Sequence, residues 1–283
     1  MEKKRKKHSV RRLLVPALFL FCCAVLLTSR YLLSVSRYTL WEDDLPAAFD
    51  GYRIVQLSDL HGSEFGEGNK GLIGKVAGEE PDLIVLTGDF LDEGKTEEEL
   101  PELKVLVEGL TELAPVYFVS GNHDWASRSM EELTEVLKSS GVCYLRNEFE
   151  LRERGDAAIV LAGVEDPNAW AEMLRPDELV ELARAAYPET FTILLGHRND
   201  WVEKYPALDV DVIFCGHGHG GIVRLPFFGG LFGTDRDWFP EYDAGLFESG
   251  RYTMVVSAGL GNSIFVPRVF NRPEIVSVTL RKT

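Results

Sequence analysis

The chain has 283 residues, 45% of them hydrophobic and 27% charged, an ordinary globular composition with room for one large α/β domain or two small ones. Its net charge of −15 is uneven: residues 1–12 carry seven Lys and Arg against Glu2, so the remainder carries −21. A body that acidic repels polyanions and argues against a nucleic-acid partner, yet a small phosphorylated substrate stays open because bound cations reverse the local sign.

After the basic tail comes "LLVPALFLFCCAVLLTS", residues 13–29, without a charge; Arg30 and "YLLSVS" follow. Spanning a bilayer takes about 20 apolar residues. The run suffices if Arg30 snorkels to the interface, which predicts a transmembrane signal anchor over 13–36. The basic tail, 1–12, then stays in the cytoplasm, and 37–283 lies outside it as the body of a single-pass protein of the cell membrane. A cleaved signal peptide ending at Ser34-Val35-Ser36 is the alternative. Four cysteines give no disulfide framework: Cys22 and Cys23 are adjacent, and Cys143 and Cys215 read as buried free thiols.

From Tyr52 onward, strands alternate with helices. "RIVQLSD" (53–59) is a strand, 69–80 a glycine-weakened helix, "PDLIVLTGDF" (81–90) a strand, and 96–113 an amphipathic helix with acids in its first turn. "APVYFVSGNHD" (114–124) is a strand running into a loop, and Ser129 stands where it could cap a helix that stops at Gly141. Three short strands, a helix over "RPDELVELARAAY", two strands ending in "GHRND" and "GHGHGG", and a β-rich finish complete the pattern. With no linker or internal repeat, 37–283 reads as one α/β domain of layered sandwich type.

Ligands of open α/β sheets gather beyond the carboxyl ends of strands. Those ends carry Asp59 and His61; Asp89; Asn122, His123 and Asp124; His197; and His217 and His219. Carboxylates, neutral imidazoles and one amide suit Mn²⁺, Fe or Zn²⁺. An extended "HGH" would turn His217 and His219 to one side with Gly218 facing away, so that each reaches a different ion.

"SDLH" (58–61), "GDF" (88–90), "GNHD" (121–124), "GH" (196–197) and "GHGH" (216–219) together resemble, in order, the five motifs of the calcineurin-like metallophosphoesterase family. The stretches 219–232 and 257–275 further resemble its branch of membrane-anchored YkuE-type phosphoesterases and relatives of UDP-2,3-diacylglucosamine pyrophosphohydrolase. The resemblance implies a layered α-β-β-α sandwich, preceded here by the transmembrane helix, with a dinuclear metal site at the strand carboxyl ends. Asp89 would bridge two divalent ions, Mn²⁺ foremost; Asp59, His61 and His219 would complete the first, and Asn122, His197 and His217 the second. His123 would stand beside the scissile phosphate as proton donor, with Asp124 orienting it. Two departures stand out: Gly218 where the branch has Thr, and "GHRN" where it has Ala and Pro.

Such a pair of ions generates hydroxide near neutral pH and holds a phosphoester for in-line attack. The implied activity is hydrolysis of a phosphodiester or pyrophosphate, on a lipid-linked or nucleotide-sugar substrate of the envelope. A phosphomonoesterase or phosphoprotein phosphatase is the enzymatic alternative, and a non-catalytic metal-bound docking domain the other. Arg198 and Arg224 are expected to be solvated. The seven aromatic residues of 225–247 are expected to pack beneath a long loop, with an apolar rim facing lipid as the alternative.

Overall fold

A computed structural model describes residues 2–169, 173–234 and 237–283, with side chains from Leu14 onward. Asp235 and Arg236 of the aromatic stretch, and the side chains of the basic tail, lie outside the described residues. A long helix, α1 (Glu2–Tyr31), leads directly into strand β1 (Ser34–Glu42). The chain then runs β2 (Arg53–Leu57), α2 (Lys70–Ala77), β3 (Leu83–Thr87), α3 (Thr96–Thr111), β4 (Val116–Val119), α4 (Asn122–Ala126), α5 (Met130–Ser139) and β5 (Cys143–Tyr144). It continues with β6 (Glu148–Arg154), β7 (Ala157–Gly163), α6 (Pro176–Ala186), β8 (Thr192–Leu195), α7 (Trp201–Lys204) and β9 (Val212–Cys215). The last strands are β10 (Val223–Leu225), β11 (Gly229–Phe232), β12 (Gly245–Glu248), β13 (Thr253–Val256) and β14 (Glu274–Lys282).

Two six-stranded sheets form, in the orders β1-β14-β2-β3-β4-β5 and β12-β13-β9-β8-β7-β6, beside a separate β10-β11 hairpin. Strand β3 shows why they stack. All five of its residues are buried, so both faces are covered, as parallel strands require. The period of two sends Ile84 and Leu86 toward Leu103, Leu106 and Leu110 of α3, and Leu83 and Val85 toward Ile193, Leu195 and Phe214 of the second sheet. The far face of that sheet, through Leu194, Ile213 and Met254, packs on Leu179 and Val180 of α6 and on Trp201. Helix, sheet, sheet and helix are thus four layers of one α/β body.

Three expectations change. The apolar segment stops at Tyr31, and Ser34–Glu42, divided in the sequence reading between anchor and body, is one strand paired in parallel with β14 from Ser34↔Glu274 to Glu42↔Lys282. Its alternation explains the outcome: Val35 joins the helix-side core, while Tyr38 and Leu40 join the core between the sheets. Among the seven aromatics of 225–247, Phe227, Phe228, Trp238 and Phe239 are exposed rather than packed beneath a loop. Arg224 is not a solvated side chain, since it bonds the Gly220 carbonyl at 2.8 Å and Asp243 at 3.0 Å. Ser129 does precede α5, though its hydroxyl makes no capping bond. Cys215 is buried and Cys143 half-buried, both unpaired.

Candidate metal centre

Strands β2, β3, β4 and β5 run parallel, as do β7, β8, β9 and β13. The loops that leave them bring the nine sequence-selected residues to one rim. Asp59 and His61 follow β2, Asp89 follows β3, Asn122, His123 and Asp124 open α4 after β4, His197 follows β8, and His217 and His219 follow β9.

Donor atoms of Asp59, His61, Asp89 and His219 all lie within 4.8 Å of one another, and so do those of Asp89, His197 and His217. Asp89 belongs to both groups. Its Oδ2 is 3.2 Å from His197 Nε2 and 3.7 Å from His61 Nε2; His219 Nε2 is 3.2 Å from Asp59 Oδ1. Each group is buried, yet Asp89 Oδ2, Asn122 Oδ1 and His197 Nε2 accept or donate no hydrogen bond. Buried polar atoms without partners cost about 1–3 kcal/mol each unless a ligand satisfies them. Oxygen and imidazole nitrogen converging in this way fit divalent cations of the Mn²⁺, Fe or Zn²⁺ kind.

The imidazoles are held from behind. His197 Nδ1 lies 2.7 Å from the Thr87 carbonyl and His61 Nδ1 2.7 Å from Asp92 Oδ1, which leaves each Nε2 facing the cluster. The backbone is held too. Asp59, His61, Asp89, His217 and His219 all have φ between +47° and +66°, a region costing non-glycine residues on the order of 1 kcal/mol each and concentrated at functional sites. His217 and His219 are therefore not side by side on an extended chain. Two left-handed residues around Gly218 send His217 to the Asp89–His197 group and His219 to the Asp59–His61 group, the division expected from sequence reached by a tight turn.

Burial raises the carboxyls of Asp59 and Asp89, but facing histidines, His219 for the first and His197 for the second, outweigh it and hold both well below the usual range. Burial lowers His197, and the charge of Asp89 reverses this and raises it to about 10; burial brings His219 down to about 4. Two buried carboxylates thus demand positive charge close by, which a bound cation would supply.

The two catalytic candidates separate. His123 keeps a side chain 32% exposed at the edge of the cluster, and its amide donates to Asp89 Oδ1 at 2.7 Å. Asp124 does not orient it. Its carboxylate is fully buried and accepts from the amides of Asp89, Phe90, Leu91 and Gly121 at 2.8–3.0 Å, bracing the turn that presents Asp89. At Gly121 the two turns touch: a Cβ there would lie 2.2 Å from Asp89 Oδ1. The carboxylate paired with His123 is Asp92, whose Oδ1 is 3.5 Å from Nδ1, and which also binds His61 and Lys95. Interactions with His61 and Lys95 overcome its burial and lower Asp92 to about 2.

Sequence reasoning overlooked Asp92, whose signal was a carboxylate three residues beyond a ligand in "GDFLD". It also overlooked Asp166, buried just past β7, which grips Arg198 at 2.6 and 3.1 Å. Arg198, expected in solvent, is thereby held with Nη1 3.0 Å from His217 Nε2. The two departures from the family pattern meet in the fold. Asn199 of "GHRN" donates to the Tyr242 carbonyl at 2.6 Å, and a Cβ on residue 218 would meet its Nδ2 at 2.7 Å, so the two positions adjoin in space and a side chain at 218 would displace Asn199.

The sequence pattern of the family described as "Calcineurin-like phosphoesterase" matches residues 52–221. The chain is 28% identical over 256 residues to the uncharacterized metallophosphoesterase YkuE of Bacillus subtilis (strain 168), covering 89% of this chain and 87% of that protein. It is 29% identical over 233 residues to the phosphodiesterase YaeI of Escherichia coli (strain K12), covering 81% and 82%. A transmembrane protein with metallophosphoesterase domain from Danio rerio is 29% identical over 266 residues, 85% of this chain and 55% of that longer protein.

Proposed function

The chain belongs to the calcineurin-like phosphoesterase family and is a phosphoester hydrolase, and from that premise we propose that it cleaves a phosphodiester or pyrophosphate bond using two divalent ions that share Asp89. Asp59, His61 and His219 would hold one ion with Asp89, and Asn122, His197 and His217 the other. The observation that carries this is buried Asp89, shared by two clusters of donors, where Asp89 Oδ2, Asn122 Oδ1 and His197 Nε2 make no hydrogen bond. Bound ions of this kind activate water and neutralise phosphate oxygens. Mn²⁺ is the preferred pair, on the mixture of carboxylate, amide and imidazole donors.

The protein's own groups supply the rest. Asp92 takes the Nδ1 side of His123, so the opposite ring nitrogen is turned to the substrate, where it protonates the departing oxygen. Asp124 holds the Asp89 turn rigid, and Arg198, fixed by Asp166, adds a guanidinium at the edge of the site for a second anionic oxygen. Diester over monoester activity is supported by the likeness to a protein named a phosphodiesterase.

Residues 14–31 of α1 have a mean hydropathy of 1.8 and are almost wholly exposed, so α1 is long and apolar enough to cross a bilayer. We take it as a single span, with the basic tail cytoplasmic and the hydrolase domain on the other side. A lipid-linked or nucleotide-sugar phosphoester of the envelope suits that placement. The decisive experiment measures metal content together with turnover of bis-p-nitrophenyl phosphate, p-nitrophenyl phosphate, lipid phosphates and nucleotide sugars. Two equivalents of metal with diester or pyrophosphate turnover is expected. Two equivalents with turnover of none of them would leave the docking-domain reading standing, and faster monoester turnover would favour the phosphatase.

A further inference from the structure

The hydrolase domain does not hang free from the end of α1. The C-terminal half of the helix touches it at a few points, though most of its side chains stay exposed. Phe21, Val25 and Ser29 recur every four residues on one side of α1, and Ser29 is only 1% exposed although it is one turn from the helix end. Phe21 meets Phe270 of the loop before β14 with ring centroids 6.3 Å apart. Arg272 of the same loop donates to the carbonyls of Leu32 and Leu33 at 2.9 and 3.0 Å, closing the junction. The hairpin β10–β11 joins in: the Arg224 amide donates to the Val269 carbonyl at 2.9 Å, and Phe227, Phe270, Thr28 and Ser29 line one cavity of about 600 Å³.

The length of the span makes this contact informative. Eighteen residues from Leu14 to Tyr31 are about 27 Å of helix, against a hydrocarbon core about 30 Å thick, so no apolar turn can be spared outside the bilayer. Phe21 lies about 15 Å along the axis from Tyr31, well inside that core. The ring of Phe270, which reaches Phe21, is therefore the part of the domain that lies nearest the hydrocarbon. The groups that neighbour Phe270 have the chemistry for this. Phe227 and Phe228 at the hairpin tip are 104% and 78% exposed, and Phe265 on the Phe270 loop is 103% exposed, flanked by the exposed Ile264 and Val266. Buried Arg268 ties that loop to the body through the carbonyls of Ala258, Gly261 and Asn271 at 2.8–3.1 Å.

We propose that the hairpin tip around Phe227 and the loop Ile264–Phe270 insert into the bilayer leaflet beside α1, making this face of the domain a lipid-docking surface rather than a tethered, water-facing one. The inference rests on reading α1 as a membrane span. It bears on the chemistry because Asn271, next to Phe270, donates to the carbonyl of His219 at 2.7 Å. One side chain thus links the inserted loop to the turn that carries a metal-ligand candidate.

The test uses the full chain reconstituted into phosphatidylcholine–phosphatidylglycerol vesicles carrying a lipid with a diazirine in mid-acyl chain, with adducts mapped by mass spectrometry after illumination. Adducts are expected in 14–31 and also at Phe227, Phe228 and 264–266. In the triple variant Phe227→Ser, Phe228→Ser, Phe265→Ser, which alters only exposed side chains, the loop adducts are lost and those in 14–31 remain. Adducts in 14–31 with none in either loop would overturn the docking surface while sparing the span. Adducts in neither would sink the span itself, and with it this inference. Neither readout depends on turnover, so failure of the hydrolase reading is seen separately.

Discussion

Acidic side chains gather at both rims of the double sheet, and the two gatherings behave differently. At the rim beyond β2, β3, β8 and β9, Asp59 and Asp89 are wholly buried, ringed by imidazoles and held on left-handed turns, with donor atoms left unpartnered. At the opposite rim, Asp44, Asp209 and Asp211 line a cavity of about 650 Å³ with Arg184 and Arg251, and Glu42 stands close by. There two arginines answer part of the charge: Arg184 reaches Asp209 and Asp211 at 3.3 and 3.5 Å, and Arg251 pairs with Asp209. The far rim sets arginines against its carboxylates, whereas the buried cluster leaves carboxylate and imidazole atoms wanting a cation. Volume is a poor guide beside the question of which buried atoms lack a partner.

The contrast breaks first at Asp89. Replacing it with alanine is expected to cost turnover on the order of a thousandfold or more and to release both equivalents of metal, measured by kinetics and elemental analysis. Retention of both ions would end the shared-ligand reading. Asp124→Ala should cost about 3 kcal/mol in denaturant unfolding, because four amides lose one acceptor group. If instead stability held and only the rate fell, Asp124 would be acting on chemistry after all.

Asp92→Asn sharpens the division of labour. Turnover should fall about 10–100-fold, and, with a negative charge gone from beside His123, the alkaline limb of the pH–rate profile should move to lower pH. A purely structural Asp92 would lower the rate without moving that limb. The smallest effect belongs to the far rim. Burial, then Asp211, Asp43 and Asp44, raise Glu42 from an ordinary 4.5 to about 7. Between those values the folded state holds more protons than the unfolded one, so the stability Glu42 contributes is present below about 4.5 and lost as pH rises through 7. Glu42→Gln should therefore raise the Tm at pH 8 by about 1–3 °C and leave it little changed at pH 4, with activity intact. An unchanged Tm at pH 8 would mean that the rim carries no uncompensated charge.

The side of the body next to α1 shows where local pattern loses its hold. Residues 31–36 read as a continuation of an apolar run, yet Ser34, Val35 and Ser36 start an edge strand, because β14 offered an unpaired edge that no local signal announces. The aromatics of 225–247 read as core by composition, since a phenylalanine in a long loop is more often covered than bare. The hairpin geometry that leaves Phe227 uncovered is a tertiary fact.

What the chain declares in one dimension is the alternation of apolar strands with helices and the placing of Asp, His and Asn directly after those strands. Both are local: a buried parallel strand needs an unbroken apolar run, and a ligand needs a turn at its end, so each is written within about ten residues. Only the packed structure could decide that Asp124 serves four amides while Asp92 takes His123, that Asn199 fills the space above Gly218, and that α1 lies against Phe270. Those pairings join residues brought together by the stacking of two sheets, and the free energy that selects them resides in burial and distance, neither of which has a signature along the chain.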